Sequence, residues 1–119
     1  MQHAAQAYGK VATQTANPRE IEASLLLKAA ARLQALNDSW GNREQIDEAL
    51  LYNRKLWAIF LTSVTREDNP LPELVRQNVA NLGVFVMKQT LSLMAEPRRE
   101  KLAPLININR ELAAGLMGR

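Results

Sequence analysis

The sequence predicts an all-α fold, a small antiparallel helical bundle of about four main helices that forms one domain over residues 1–119. Apolar residues recur at spacings of three and four along most of the chain, which is the period of an amphipathic helix. The strict alternation of apolar and polar residues that marks a half-buried strand is not found in the sequence. Short polar or proline-containing segments separate the periodic stretches, so consecutive helices are expected to fold back on one another.

The first helix is predicted to begin after Asn17, which is a favourable N-cap residue. Pro18 suits the first helical position, and Glu20 completes a pattern that resembles a capping box. The helix is expected to end at Gly41. The leader, residues 1–16, is expected to form a short helix or a mobile arm. The apolar face predicted for the first helix consists of Leu26, Ala29, Leu33, Leu36 and Trp40.

The second helix is predicted to begin after Asn42, with Gln45 at the position that closes a capping box. The segment 65–71 should end it, because the prolines that follow Asn69 cannot continue a helix. Its predicted apolar face consists of Ile46, Leu50, Trp57, Phe60, Leu61 and Val64.

Pro72 is predicted to be the first residue of the third helix. Gly83 lies inside this helix, where glycine costs about 1 kcal/mol relative to alanine, so we expect a neighbouring helix to approach it closely. The last helix either begins near Pro104 or begins earlier and is kinked there. The predicted apolar faces are Leu74 or Val75, Val79, Leu82, Phe85 or Val86 and Leu93 for the third helix, and Leu105, Ile108, Leu112 and Leu116 for the last.

The composition argues against catalysis. There is no cysteine, and the only histidine is His3, so nucleophilic mechanisms that need a histidine base have almost nothing to use. Neither a glycine-rich phosphate loop nor metal-ligand spacing is present. Glu44, Asp47 and Glu48 are better explained by the positive end of a helix than by a metal. We therefore expect a protein that is not an enzyme and has no cofactor, metal or small-molecule substrate.

Charge and hydropathy restrict the surroundings of the protein. The net charge of +3 is spread along the chain and mixed with acids, so direct RNA contact is not favoured. No window reaches the roughly 18 consecutive apolar residues that a membrane span requires. We expect a cytoplasmic protein that is not exported by the general secretory route.

Three asparagines fall within the apolar faces, namely Asn53, Asn78 and Asn109. A buried amide without partners costs about 1–3 kcal/mol, so each should be hydrogen-bonded. They either fix the register of the helices, which we favour, or line a groove and bind an incoming helix. Trp57 lies on its apolar face and is expected to belong to the core.

The helices also carry more apolar residues than one face requires, and a surplus of this kind is typical of a groove for a partner helix. The surplus residues are Leu25, Leu27, Leu51, Leu56, Ala58 and Ile106.

Long phrases of the sequence resemble the FlaF family, the small flagellar biosynthesis regulators of alphaproteobacteria, and the resemblance runs from about residue 8 to 116. It implies a cytoplasmic protein needed for flagellin production and filament assembly, similar to flagellin export chaperones and acting opposite FlbT, a regulator of flagellin translation. The phrases that carry the resemblance are residues 17–20, 25–35, 49–57, 68–72, 76–83 and 106–116.

The resemblance and the surplus apolar residues together suggest that the bundle holds an amphipathic terminal helix of flagellin until export. The alternative is a post-transcriptional regulator that acts on flagellin messenger RNA or through FlbT. A third possibility is a dimeric structural adaptor that uses the same apolar surface on itself. The residues predicted to contact the partner are Tyr52, Arg54, Lys55, Gln77, Asn81, Asn107 and Arg110.

Overall fold

The computed structural model of the protein describes residues 17–118, and no strand occurs in this part of the chain. The prediction of an all-α fold with four main helices is confirmed. The predicted N-terminal helix or arm lies outside the described residues. The elements are α1 (Pro18–Asp38), α2 (Arg43–Val64), α3 (Glu73–Ala95), a 3-10 turn (Arg99–Lys101) and α4 (Leu102–Leu116).

The helices form two antiparallel pairs, in which α1 packs along α4 and α2 packs along α3. Arg99 Nε donates to the Asn37 carbonyl at 2.6 Å, so the start of α4 lies beside the end of α1. In the same way, Arg43 at the start of α2 donates to the carbonyl of Met94 at the end of α3. Both arginines satisfy carbonyls that a helix C-terminus leaves free. The pairs meet where α1 contacts α2.

The predicted helix starts are confirmed where a cap specifies them. The Asn17 side chain accepts a hydrogen bond from the Glu20 amide at 2.9 Å. Asn42 and Gln45 form a reciprocal capping box, in which each side chain accepts from the backbone amide of the other residue at 2.9 and 3.0 Å. These bonds satisfy amides that have no partner within the helix.

Two helix boundaries differ from the prediction. α1 ends at Asp38 rather than Gly41, because the Asn37 and Asp38 carbonyls bind Arg99 and no glycine is needed to end the helix. Trp40 consequently lies outside α1 and is 36% exposed. Pro72 occupies the N-cap position of α3 instead of its first helical position.

The last helix begins at Leu102, two residues before Pro104. Pro104 therefore lies in the first turn, where its missing N–H removes no intrahelical hydrogen bond. This start agrees with the first of the two predicted alternatives to within two residues. The 3-10 turn Arg99–Lys101 leads directly into the helix.

All four helices contribute to one apolar core, and Trp57 is its largest fully buried side chain. The predicted core role of Trp57 is confirmed. Leu56 and Ile106 were expected as surplus surface residues, but both are buried, so that expectation is wrong for them. Of the remaining surplus residues, Leu25, Leu27, Leu51 and Ala58 are exposed.

The buried face of α3 is rotated from the predicted one. Gly83 faces α2, and the Leu61 side chain fills the space where a Cβ would be, with its Cγ 2.8 Å from that position. The predicted close approach to Gly83 is thus confirmed. Because Gly83 takes the central position, Leu82 moves to the edge of the interface and is 37% exposed. The residues of α3 that are buried are Val79, Gly83, Val86, Thr90 and Leu93.

The buried face of α4 is rotated in a similar way. Ile108, Leu112 and Leu116 were predicted to face the core but are only half-buried. The α4 residues that are buried are Leu102, Leu105, Ile106, Asn109 and Ala113.

Candidate functional site

An open groove of about 250 Å³ lies between α3 and α4. It exists because the two helices belong to different packed pairs and make few contacts with each other along their length. The groove is lined by Val75, Asn78, Val79 and Leu82 from α3 and by Ile108, Glu111, Leu112 and Gly115 from α4.

The two walls of the groove have the same spacing. From Val75 and from Ile108, the lining residues follow at i, i+3, i+4 and i+7, so each set lies on one face of its helix. Seven residues of α-helix rise about 10 Å, so each wall extends for roughly two turns. A groove with two helical walls of this length matches the shape of a short helical segment better than that of a flat or branched ligand.

The walls are mainly apolar. Val75 and Leu82 are 38% and 37% exposed, and Ile108 and Leu112 are half-buried. Asn78 was predicted to be buried, but it is exposed, because the rotation of α3 about Gly83 places it at the groove.

Polar chemistry in the groove comes from only two side chains. The Asn78 amide can donate and accept hydrogen bonds. Glu111 is the only charged lining residue, and it makes no ion pair with any described residue. The groove can therefore bind an apolar segment that carries a few polar or basic groups at its edge.

A buried polar cluster joins α4 to α2. Trp57 Nε1 donates to Asn109 Oδ1 at 2.8 Å, and Asn109 Nδ2 donates to Asn53 Oδ1 at 2.7 Å. All three side chains are fully buried, so the predicted burial and hydrogen bonding of Asn53 and Asn109 are confirmed. Asn53 Nδ2 has no partner among the described residues.

This cluster fixes the rotation of α4 about its own axis. A turn of α4 in either direction would leave the buried indole N–H and the Asn53 oxygen without partners, at about 1–3 kcal/mol each. Asn109 lies next to Ile108 in the sequence, so the same bonds determine that Ile108 and Leu112 face the groove. The register interpretation therefore fits Asn53 and Asn109, whereas Asn78 fits the groove-lining interpretation.

None of the seven predicted partner-binding residues lines the groove. On α2, the Tyr52 ring is half-buried beneath the Arg32 guanidinium, which lies 4.3 Å from the ring centroid. Lys28 lies 6.0 Å from the same ring, so Tyr52 faces α1. Arg54 and Lys55 are exposed on α2.

The other four residues lie on α3 and α4. Gln77 and Asn81 are exposed on α3, and Asn107 is exposed on α4. Arg110 is also exposed, but its guanidinium donates to Gln34 Oε1 of α1 at 3.4 Å. The seven residues are spread over three helices, and their role in partner binding stays a prediction.

Two arginines of the described chain form ion pairs with carboxylates two residues away. Arg66 donates two hydrogen bonds of 2.9 Å to the Asp68 carboxylate, and these bonds lower the pKa of Asp68. Arg98 pairs with Glu96 at 2.9 Å. The charge of these arginines is thus partly balanced within the chain.

Two further searches of residues 17–118 were negative. No cluster of three histidine, cysteine or carboxylate side chains that could hold a metal occurs there. Nor does this part of the chain contain a helix with the length and apolar character needed to cross a membrane.

Comparison with protein families gives one match, which covers residues 4–116 and is to the family described as flagellar protein FlaF. This range contains the whole groove and both packed pairs of helices. No curated protein and no solved structure matches the chain.

Proposed function

The chain belongs to the FlaF family of flagellar proteins, and from this premise we propose that it binds flagellin and holds an amphipathic terminal helix of flagellin in the groove between α3 and α4. Covering that helix keeps its apolar face from associating with other flagellin molecules before export. This role is that of a flagellin-binding chaperone and regulator of flagellum assembly.

The groove is the observation that carries the proposal. Its two helical walls present Val75 and Leu82 from one side and Ile108 and Leu112 from the other. A bound helix with apolar residues at i, i+3 or i+4 and i+7 would contact both walls over two turns. Each apolar side chain that such a helix buries contributes about 1.5–3 kcal/mol before the costs of ordering are subtracted.

The surface beside the groove supports the same proposal. Exposed single apolar residues are normal, but here nearly half of the large ones in the described chain lie on α3, the helix that forms one wall. Phe85 lies one turn beyond Leu82 and is 46% exposed, so it extends the apolar wall past the groove. The exposed apolar residues of α3 on the side of the groove are Leu74, Val75, Leu82 and Phe85, whereas Val84 and Leu91 lie on the opposite side of the helix from Leu82.

The size of the groove sets the expected affinity. A two-turn contact buries less area than the interfaces of permanent complexes and falls in the class of transient interactions. A dissociation constant of about 1 µM corresponds to roughly −8 kcal/mol, which a few buried apolar side chains can supply. An affinity of this order also allows flagellin to be released for export.

The direct test compares Leu82→Asp with Leu91→Asp. Both substitutions introduce the same charge at an exposed leucine of α3, but only Leu82 lines the groove. We expect Leu82→Asp to weaken binding to purified flagellin at least about tenfold, because a carboxylate in an apolar contact loses more than about 1.4 kcal/mol. Leu91→Asp should change the dissociation constant less than about threefold, which is a free-energy change of under about 0.7 kcal/mol.

The measurement is isothermal titration with full-length flagellin and with flagellin truncated at either end, after circular dichroism has shown that both variants keep their helix content. Flagellin that binds the wild-type protein and Leu82→Asp equally would refute the groove as the binding site. Strong, salt-dependent binding of flagellin messenger RNA with no binding of flagellin would instead favour the translational regulator.

A further inference from the structure

Gly115 in α4 has no explanation within the described chain. It lies in the last turn of α4, one residue before the helix ends at Leu116, and it is exposed. A Cβ at this position would have no other described part of the chain within 4 Å. Gly83 differs, because the Leu61 side chain occupies the space that its missing Cβ leaves.

The open space at Gly115 is part of the groove, since Gly115 is the last lining residue of the α4 wall. A glycine in a helix lets another backbone approach more closely than any side chain allows. Two helices that cross at such a point come closer together, and the residue of the partner that faces the glycine must then be small as well.

The charge of the groove also restricts which helices can bind there. Glu111 lies one helical turn before Gly115 on the same wall, is exposed, and has no ion pair with a described residue. A basic side chain on the bound helix would meet it about one turn from the crossing point, which is a favourable arrangement of charges at the rim of an interface.

We infer that Gly115 is the crossing point for the bound helix, and that this helix carries a small residue (Gly, Ala or Ser) in its apolar face, with a Lys or Arg about one turn away that pairs with Glu111. The inference rests on the proposed function and specifies which helical segment of flagellin the groove selects.

The test fills the space at Gly115 with Gly115→Leu. A Cβ at Gly115 meets no other part of the described chain within 4 Å, and leucine favours a helix more than glycine does, so the helix content and unfolding midpoint should be at least those of the wild-type protein. Flagellin binding should weaken at least about tenfold, or about 1.4 kcal/mol. The control is Ala103→Leu, which adds bulk to an exposed position of the same helix outside the groove and should leave binding unchanged.

A second arm tests the charge. Glu111→Gln should weaken flagellin binding and reduce its dependence on salt, because one screened ion pair is lost. A salt dependence equal to that of the wild-type protein would overturn the pairing with a basic residue.

The outcomes separate this inference from the proposed function. If Leu82→Asp weakens flagellin binding while Gly115→Leu binds as tightly as the wild-type protein, the crossing point is wrong and the groove proposal stands. If neither substitution affects binding, flagellin does not bind in the groove, and the assignment of Gly115 as the crossing point is overturned as well.

Discussion

The strongest prediction concerns Asn109, because it is the central member of the buried polar cluster. The substitution Asn109→Leu keeps the branching of the side chain but removes the hydrogen bonds to Trp57 Nε1 and to Asn53 Oδ1, which are 2.8 and 2.7 Å long. Both atoms would then be buried without partners, at about 1–3 kcal/mol each. We expect the free energy of unfolding to fall by about 3 kcal/mol, since the added leucine recovers part of the loss.

The partner substitution should behave differently. Asn53→Leu removes the acceptor of Asn109 Nδ2, but it also removes the Asn53 Nδ2 group, which already lacks a partner. Its cost should therefore be about 1 kcal/mol or less. In the double variant only Trp57 Nε1 is left without an acceptor, so adding Asn53→Leu to Asn109→Leu should restore about 1–2 kcal/mol.

The free energy of unfolding of all three variants is measured by urea titration, with far-ultraviolet circular dichroism as the signal. Asn107→Leu is the matched control, because Asn107 is exposed on the same helix and its substitution should change stability by less than about 0.5 kcal/mol. Two results would refute the reasoning: an Asn109→Leu protein as stable as the wild type, or a double variant less stable than Asn109→Leu alone.

Three further predictions concern other parts of the fold. Gly83→Ala should destabilise the protein by about 1 kcal/mol, because overpacking against Leu61 exceeds the gain in helix propensity. In a Leu61→Ala background the same substitution should instead stabilise the protein, and urea unfolding of the variants measures both effects. Burial raises the pKa of the Glu22 carboxyl above its usual 4.5, so its contribution to stability falls as pH rises from 4.5 through the raised pKa. Glu22→Gln should remove this fall and raise the unfolding midpoint at neutral pH; a midpoint equal to or below that of the wild type would contradict it. Asn69→Ala should cost about 1–2 kcal/mol in urea, because the side chain donates at 3.1 Å to the Ser63 carbonyl and hydroxyl and accepts from the amide two residues later.

The sequence predicts best what depends on neighbours along the chain. The side chains of Asn17 and Asn42 bond to backbone amides three residues away. Both partners of each bond therefore lie in one short stretch of sequence, where the cap can be recognised. The burial of Asn53 and Asn109 was predicted from their position between apolar residues at helical spacing, although the same argument failed for Asn78. These features required no knowledge of which helix packs against which.

The groove could not be predicted in this way. The close approach of a helix to Gly83 was predicted, but glycine has no side chain and adds nothing to an apolar pattern, so the sequence did not show that Gly83 is the centre of the α3 face that packs on α2. Because Gly83 is at the centre of the buried face, α3 is rotated about its own axis from the predicted orientation, and Leu82 and Asn78 border the groove instead of the core. The separation of α3 from α4 depends on contacts between distant parts of the chain, for which the sequence carries no local signal.

Tyr52 illustrates a second limit of the sequence. Tyr52 was predicted to contact the partner, but the Arg32 guanidinium lies over its ring, 4.3 Å from the centroid. A cation–π contact between α1 and α2 joins residues twenty positions apart and has no periodic signature.

The way in which the two pairs of helices are joined also bears on the width of the groove. One wall belongs to the α2–α3 pair and the other to the α1–α4 pair. A tilt of one pair against the other would pull Asn109 of α4 away from Trp57 and Asn53 of α2, which are its buried hydrogen-bond partners. These bonds therefore oppose any widening of the groove, and the helix that we propose as its ligand must fit the width that the structure shows.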